Sequence, residues 1–166
     1  QIKKGANYLT AQARIALIFI KQGQLDKAIE HLRAVPVDNR QDAISLLQLE
    51  AELLTEQKRY HQAMAAYNRA LKLKPDETEV LYMRAMLHEE MDSMGAFEQD
   101  LQRILELEPQ NINALNALGY SLADKTDRYE EAYKFIKQAL DLGPDKYYIL
   151  DSMGWVLYKM GHCAEA

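Results

Sequence analysis

Apolar residues recur along this chain at helical spacing, in runs that each end at a proline. The runs AMAAYNRALKLKP, FEQDLQRILELEP and AYKFIKQALDLGP carry an alanine or a bulky apolar residue twelve and five positions before that proline. Because proline lacks a backbone N–H and its ring clashes with the preceding turn, each one predicts the end of a helix. Pro75, Pro109 and Pro144 lie 34 and 35 residues apart. The chain is therefore predicted to be a series of helical hairpins with that period.

Small residues recur with the same period in both helices of the predicted hairpins. In the first helices they are Ala16, Ala51, Ala85, Gly119 and Gly154, and in the second helices they are Ala28, Ala63, Ala132 and Ala166, with Phe97 at the equivalent place of the third. A small side chain at a fixed place allows two paired helices to cross closely. Phe97, together with Arg84 and His88 at places that are usually apolar, predicts a local distortion of the third hairpin.

The chain resembles the tetratricopeptide repeat family, whose signature is a helix–turn–helix unit of about 34 residues. The segment NALNALGYSLADKTDRYEEAYKFIKQALDLGPD carries the family's packing residues as Leu115, Leu118, Gly119, Leu122, Tyr129, Ala132, Ile136, Ala139 and Pro144. The resemblance implies an all-α fold, a right-handed superhelical array of antiparallel helix–turn–helix hairpins. We interpret residues 1–166 as one domain and a fragment of a longer array, with repeats at about 9–43, 44–77, 78–111 and 112–146 and a partial repeat at 147–166.

Composition agrees with a helical array that can bury a core. Of the 166 residues, 48% are hydrophobic and 27% are charged. The β-branched clusters and Asn-Gly turns typical of strands are missing, and no run approaches the 20 apolar residues that a membrane span needs. Pro36 predicts a short second helix in the first repeat, and Gly23 and Gly161 are expected at turns between helices because glycine accepts a positive φ.

The resemblance also implies a binding surface. In this family the first helix of each repeat lines a concave groove, into which its second, fifth, ninth and twelfth residues point. The candidate binding residues at such places are Gln48, Glu52, Tyr82, Met86, Glu89, Asn116, Tyr120, Tyr148, Asp151, Trp155 and Tyr158. Tyrosine and tryptophan supply many binding hot spots, and an extended or helical peptide suits such a surface. The alternative is that Tyr148, Trp155 and Tyr158 pack between repeats or are covered by a further repeat.

The groove residues predict the charge of the ligand. Some family members grip a peptide's terminal carboxylate with a Lys and an Asn at the fifth and ninth places of a helix. The corresponding pairs here are Ala13/Leu17, Gln48/Glu52, Tyr82/Met86, Asn116/Tyr120 and Asp151/Trp155. No such clamp is present. Because Glu52, Glu89, Asp124 and Asp151 lie at or near the groove, we expect a neutral or basic partner rather than an acidic tail.

Other functions find little support. The four histidines, His31, His61, His88 and His162, are spread over different repeats without metal-site spacing, and no glycine-rich phosphate loop is present, so we expect no catalysis, metal or cofactor. Nucleic acid requires a basic groove, whereas the net charge is −5 and the groove places contain no Arg or Lys. We therefore expect a non-enzymatic scaffold or adaptor, and the alternative is a docking or regulatory segment of a larger enzyme.

Residues 111–160 are similar to a stretch of bacterial tetratricopeptide proteins of the cell envelope, many of them lipoproteins. The similarity is carried by NALNALGYSLADKTDRYEEA and ILDSMGWVLYKMG. It implies an adaptor at the bacterial periplasm or the outer-membrane periphery. The lone Cys163 can form no internal disulfide and does not indicate the compartment.

A first prediction concerns the helix YYILDSMGWVLYKM, which lacks its partner helix in this chain. Leu150, Met153 and Leu157 should then be short of packing partners, and we expect this edge to self-associate. Light scattering at high protein concentration checks this, and a strictly monomeric species would contradict it.

Overall fold

The structure is a computed structural model that describes residues 6–162, with side chains from residue 8 onward. Within that stretch every regular element is an α-helix, so the predicted all-α fold is confirmed. The helices are α1 (Ala6–Lys21), α2 (Leu25–Ala34), α3 (Arg40–Glu56), α4 (Tyr60–Leu73), α5 (Thr78–Glu90), α6 (Met94–Leu107), α7 (Ile112–Lys125), α8 (Tyr129–Leu142) and α9 (Tyr147–Lys159). Cys163 and Ala166, used in the sequence analysis, lie outside the described residues.

The helices end where the prolines of the sequence predict. Helices α4, α6 and α8 each stop two residues before Pro75, Pro109 and Pro144. Helix α2 has 10 residues where α4, α6 and α8 have 14, because Pro36 follows so closely. At the start of α7 the side chain of Asn111 accepts a hydrogen bond from the backbone N–H of Ala114 at 3.0 Å. That bond satisfies one of the N–H groups that a helix leaves unpaired at its first turn.

The turns that follow α1, α3, α5 and α9 have a left-handed residue at an equivalent place. Gly23 and Gly161 have φ values of 71° and 84°, which confirms the role predicted for them. Lys58 and Asp92 occupy the same place in the second and third hairpins, with φ values of 58° and 54°. Sequence reasoning missed these two, because only glycine marks a positive φ by its identity. The turns after α3 and α5 therefore have the same backbone geometry without a glycine.

The described residues form two compact units, which divide between Val80 and Leu81 within α5. In the first unit α1 packs on α2 and α3 packs on α4. In the second unit α7 packs on α8 and α9, and α6 packs on α7. Helices adjacent in sequence thus pack together within each unit, from α1 to α4 and from α6 to α9, as in a helical repeat. Fully buried side chains include Ile44 and Tyr67 in the first unit, and Leu101, Leu115 and Ile136 in the second.

The third hairpin accommodates its unusual residues without breaking its helices. Phe97 is fully buried, and α5 and α6 run continuously, so the distortion expected there is not found within either helix. Arg84 donates two hydrogen bonds to Asp100, from Nε at 2.8 Å and from Nη2 at 2.5 Å. Asp100 is only 5% exposed. A buried carboxylate needs such a partner, and loss of one member of a buried pair typically costs about 3–5 kcal/mol.

Helix α9 is better packed than the sequence analysis predicted. Leu150 is 46% exposed, in agreement with the expectation, but Leu157 is buried at 9%. The expectation for Leu157 was therefore wrong, because α9 packs against both α7 and α8. Within residues 6–162, no helix is long and apolar enough to span a membrane.

The crossing of α7 and α8 gives a second prediction. A Cβ on Gly119 would lie 2.7 Å from Cγ1 of Ile136 and 2.9 Å from the backbone oxygen of Ala132. The isoleucine can shift but the carbonyl cannot, so Gly119→Ala should destabilise the protein by about 1–3 kcal/mol. Thermal unfolding followed by circular dichroism measures this.

Gly95→Ala is the matched control, because no atom lies within 4 Å of a Cβ at that position in the first turn of α6. Alanine is the better helix former by up to about 1 kcal/mol, so this variant should be neutral or more stable. Equal melting temperatures for the two variants would show that the α7–α8 crossing is looser than the structure has it.

Candidate functional site

The candidate groove residues of the first unit lie on α3. Gln48 is 9% exposed and offers a ligand little surface, whereas Glu52 is half-buried. Burial raises the pKa of Glu52, and the nearby carboxylates of Glu79 and Glu56 raise it further. Burial, with Glu52 nearby, raises the pKa of Tyr67 to about 12. This part of the surface is therefore acidic and partly dehydrated.

The candidate residues of the second unit lie on α5, α7 and α9, which hydrogen bonds hold together. The hydroxyl of Ser121 on α7 donates to the carboxylate of Glu89 on α5. The Tyr148 hydroxyl on α9 donates to Oδ1 of Asn113 on α7 at 3.1 Å. Burial raises the pKa of Tyr82, and the proximity of Tyr148 and Glu89 adds to this effect. The three helices thus bring Tyr82, Tyr148 and Glu89 to one place.

Aromatic side chains remain exposed in the second unit. Tyr120 is 39% exposed, Tyr148 44% and Tyr158 57%. Trp155 stacks on Tyr158, with their ring centroids 5.7 Å apart and their planes inclined by 26°. We call Tyr82, Tyr120, Tyr148, Trp155 and Tyr158 the aromatic surface. It combines flat apolar faces with hydroxyl groups, as hot spots of protein interfaces do.

Two polar atoms beside the aromatic surface have no hydrogen-bond partner among the described residues. They are the acceptor Oδ1 of Asn116 and the donor Nε1 of Trp155, and both are shielded from solvent. An unsatisfied buried polar atom costs about 1–3 kcal/mol. Rotation of the Asn116 side chain toward a ligand would let its Oδ1 accept a hydrogen bond from a backbone N–H. Rotation of Trp155 would let its Nε1 donate one to a backbone carbonyl.

The remaining predicted residues are placed as follows. Met86 is half-buried on α5, and Asp151 is exposed on α9. His88 lies with Nε2 3.9 Å from Asp100, and burial lowers its pKa against the opposing effect of that carboxylate. In the part of the chain that the structure describes, no group of three His, Cys, Asp or Glu residues could hold a metal ion.

Sequence reasoning missed several residues around the site. Ser121 was not identified as the partner of Glu89, and Lys159 was not expected over the Trp155 ring, with its Nζ 5.4 Å from the centroid. Asp100 could have been found, because both Arg84 and Asp100 occupy places that the repeat pattern makes apolar. Two opposite charges in one buried layer indicate an ion pair. The partners of Ser121 and Lys159 depend on rotamers and have no such signal.

The geometry is that of a repeat protein built from helical hairpins. Comparison with family models identifies the family. A model described as tetratricopeptide repeat matches residues 9–35, 78–111 and 112–146, and a second model with the same description matches residues 44–87. The chain therefore belongs to the tetratricopeptide repeat family.

Related proteins agree with this assignment. The chain is 40% identical over all 166 residues to TPR repeat-containing protein PA4667 of Pseudomonas aeruginosa, but it spans only 28% of that protein's length. MamA from Desulfovibrio magneticus RS-1 has a similar fold, with a TM-score of 0.73 over 94% of this chain and 87% of that one at 14% identity. The first TPR of Spaghetti (RPAP3), solved bound to the HSP90 peptide SRMEEVD, matches with a TM-score of 0.67 over 77% of this chain and 99% of that one at 17% identity.

A third prediction follows from Glu52. Its pKa is raised in the folded protein, so the folded state binds the proton more tightly than the unfolded chain. Stability contributed by this group is therefore present below the unfolded pKa and is lost as the pH rises through the folded pKa. Glu52→Gln should raise the melting temperature at pH 7 and change it little at about pH 3, where both states are protonated.

Glu30→Gln serves as the control, since Glu30 is an exposed carboxylate of the same unit on α2. It should show no comparable gain between about pH 3 and pH 7. A Glu52→Gln variant that is less stable than the parent at pH 7 would mean that the carboxylate makes a favourable contact.

Proposed function

We propose that this chain is a non-enzymatic protein-interaction scaffold, or adaptor, which binds a peptide or partner segment at the aromatic surface of the second unit. The observation that carries the proposal is the exposure of Tyr120, Tyr148 and Tyr158 on helices that hydrogen bonds hold together. Large exposed aromatic side chains on one surface mark interaction sites. Apolar side chains of the ligand would pack between Tyr82, Tyr120 and Trp155, and Asn116 would bond the ligand backbone.

The proposed ligand is neutral or basic. Glu89 and Asp151 lie at this surface, and its candidate residues include no Arg or Lys. The peptide bound to the RPAP3 repeat, SRMEEVD, is acidic, whereas Asn116 and Tyr120 stand here in place of the Lys and Asn of a carboxylate clamp. Two lysines lie at the edge, but each faces a ring: Lys146 is 5.8 Å from the Tyr148 centroid and Lys159 is 5.4 Å from that of Trp155.

The larger setting is also part of the proposal. We propose repeats at about 9–43, 44–77, 78–111 and 112–146 with a partial repeat from residue 147, and an adaptor of the bacterial envelope. The 40% identity to a Pseudomonas aeruginosa protein supports a bacterial setting. Because the chain spans 28% of that protein's length, a docking role beside a further functional region is the alternative.

The exposed Leu150 supports self-association through α9.

The fourth prediction tests the aromatic surface. Partners are captured from a bacterial envelope extract, identified by mass spectrometry, and their affinity for the purified chain is measured. Tyr120→Ala should weaken binding by about 1–3 kcal/mol, which is roughly a 5- to 150-fold increase in Kd. Combination with Trp155→Ala should weaken binding further, because both rings contact the ligand in this proposal.

Tyr147→Ala is the matched control, since Tyr147 is 87% exposed on α9 but is not a groove residue. It should retain full affinity, and thermal unfolding should show that all variants are folded. Unchanged affinity of a folded Tyr120→Ala variant would reject this site. Retention of labelled RNA with a steep salt dependence, and of no protein, would reject the protein-binding function itself.

A further inference from the structure

The short helix α2 leaves an open pocket in the first unit, away from the candidate groove residues. The pocket has a volume of about 400 Å³, within the range of ligand sites. Helix α2 ends at Ala34, one turn shorter than α4, so the space that a further turn would fill is open beside Val35 and Val37. The missing turn thus creates the pocket.

The floor of the pocket is apolar. Leu32, Val35, Leu46 and Leu47 line it and are each at most 9% exposed, while Val37 and Leu73 at its mouth are each 38% exposed. Helix α3 faces the pocket with Leu46, Leu47 and Glu50. At 100° per residue these lie on the opposite side of α3 from Gln48 and Glu52. The pocket is therefore a surface distinct from the candidate groove.

The rim of the pocket is cationic. Arg33, Arg69 and Lys72 line it, together with a single carboxylate, Glu50. Three cations and one carboxylate leave two positive charges unbalanced, although the whole chain has a net charge of −5. Asp26 and Glu30 lie in an adjoining polar cleft, which Arg33, Glu50 and Arg69 also line. Arg59 pairs with Asp26 there at 2.6 Å, so Asp26 does not offset the positive rim.

Glu50 neutralises only part of the positive charge of the rim. Its side chain is 3% exposed, and its Oε1 accepts hydrogen bonds from Nε and Nη2 of Arg33 at 2.9 and 2.6 Å. Arg69 forms a longer ion pair with the same carboxylate, with Nη1 3.6 Å from Oε2, and its side chain is 53% exposed. Lys72 is exposed and has no ion pair within residues 8–162. Both cations are thus exposed beside an apolar opening, with Arg69 sharing Glu50 with Arg33 and Lys72 unpaired among the described residues.

We propose that this pocket is a second docking site, for a partner peptide in which leucine-like side chains are flanked by acidic residues. The apolar side chains enter the space over Leu46 and Leu47, and the flanking carboxylates pair with Arg69 and Lys72. This ligand is opposite in charge to the one proposed for the aromatic surface. One chain can then hold two segments of different chemistry, as an adaptor must.

The test uses the 166-residue chain and three fluorescein-labelled peptides, DELLDE, NQLLNQ and DESSDE, with binding followed by fluorescence anisotropy. The peptide DELLDE should bind, and both others should bind at least tenfold more weakly, because each lacks one of the two features. Raising the salt concentration should weaken the binding of DELLDE, since accessible ion pairs are screened. Methyl resonances of Leu46, Leu47 and Leu73 should shift on its addition.

The double variant Arg69→Gln, Lys72→Gln should weaken binding of DELLDE about tenfold, and Val37→Glu should weaken it by placing a carboxylate at the mouth. The matched control is Lys27→Gln, Lys134→Gln, which removes two exposed lysines that do not line the pocket and should leave affinity unchanged. Circular dichroism confirms that each variant is folded.

Four outcomes would overturn the proposal. They are no binding of DELLDE up to about 1 mM, equal binding of NQLLNQ, equal loss in the two double variants, and shifts confined to residues of the aromatic surface. Saturation of the pocket by the fatty acid laurate without peptide binding would instead assign it to a lipid. Concentration-dependent dimers that Val37→Glu abolishes, again without peptide binding, would assign it to a second copy of the chain.

Discussion

The close crossing of paired helices is the constraint on which each hairpin depends. Ala28, Ala63 and Ala132 are fully buried at the equivalent place in three hairpins, and Gly119 has no room even for a Cβ. Close contact buries apolar area from both helices at about 25 cal/mol for each Å² removed from water. It also fixes which residues of the first helix turn away from the pair, and those residues form the candidate groove. A repeat of small residues thus determines both the packing and the position of the proposed binding surface.

The elements were predictable because the signals that set them are local. A proline ends a helix wherever it stands, so Pro36, Pro75, Pro109 and Pro144 predicted four helix ends. The positive φ at Gly23 and Gly161 followed from glycine's missing side chain. Lys58 and Asp92 adopt the same geometry without that signal, because the hydrogen bonds and packing of the hairpin impose it. Contacts that the hairpin imposes on an ordinary residue cannot be predicted from the residue itself.

The candidate site was predictable only as a set of positions. The helical period placed Tyr82, Tyr120, Tyr148 and Trp155 at groove places, but it could not give their exposure or their partners. Gln48 was a groove candidate that the structure buries, and Leu157 was expected to lack partners and is covered. Tertiary packing decides both, since the neighbours of a side chain come from other helices. The pocket beside Glu50 could not be predicted from the sequence either, because it is the space that a longer α2 would fill.

The left-handed residues also imply that stability is distributed unevenly along the chain. A residue other than glycine, asparagine or aspartate in this conformation carries roughly 1–2 kcal/mol of strain, so Lys58 is under greater strain than Gly23. Energies in repeat proteins are largely a sum over units and their neighbours, and a strained turn therefore weakens its own hairpin first. The turn joining α3 to α4 would then exchange its amide hydrogens with solvent sooner than the turn joining α1 to α2. The first unit would begin to open at one identifiable bend, while its glycine-bearing turn stays closed.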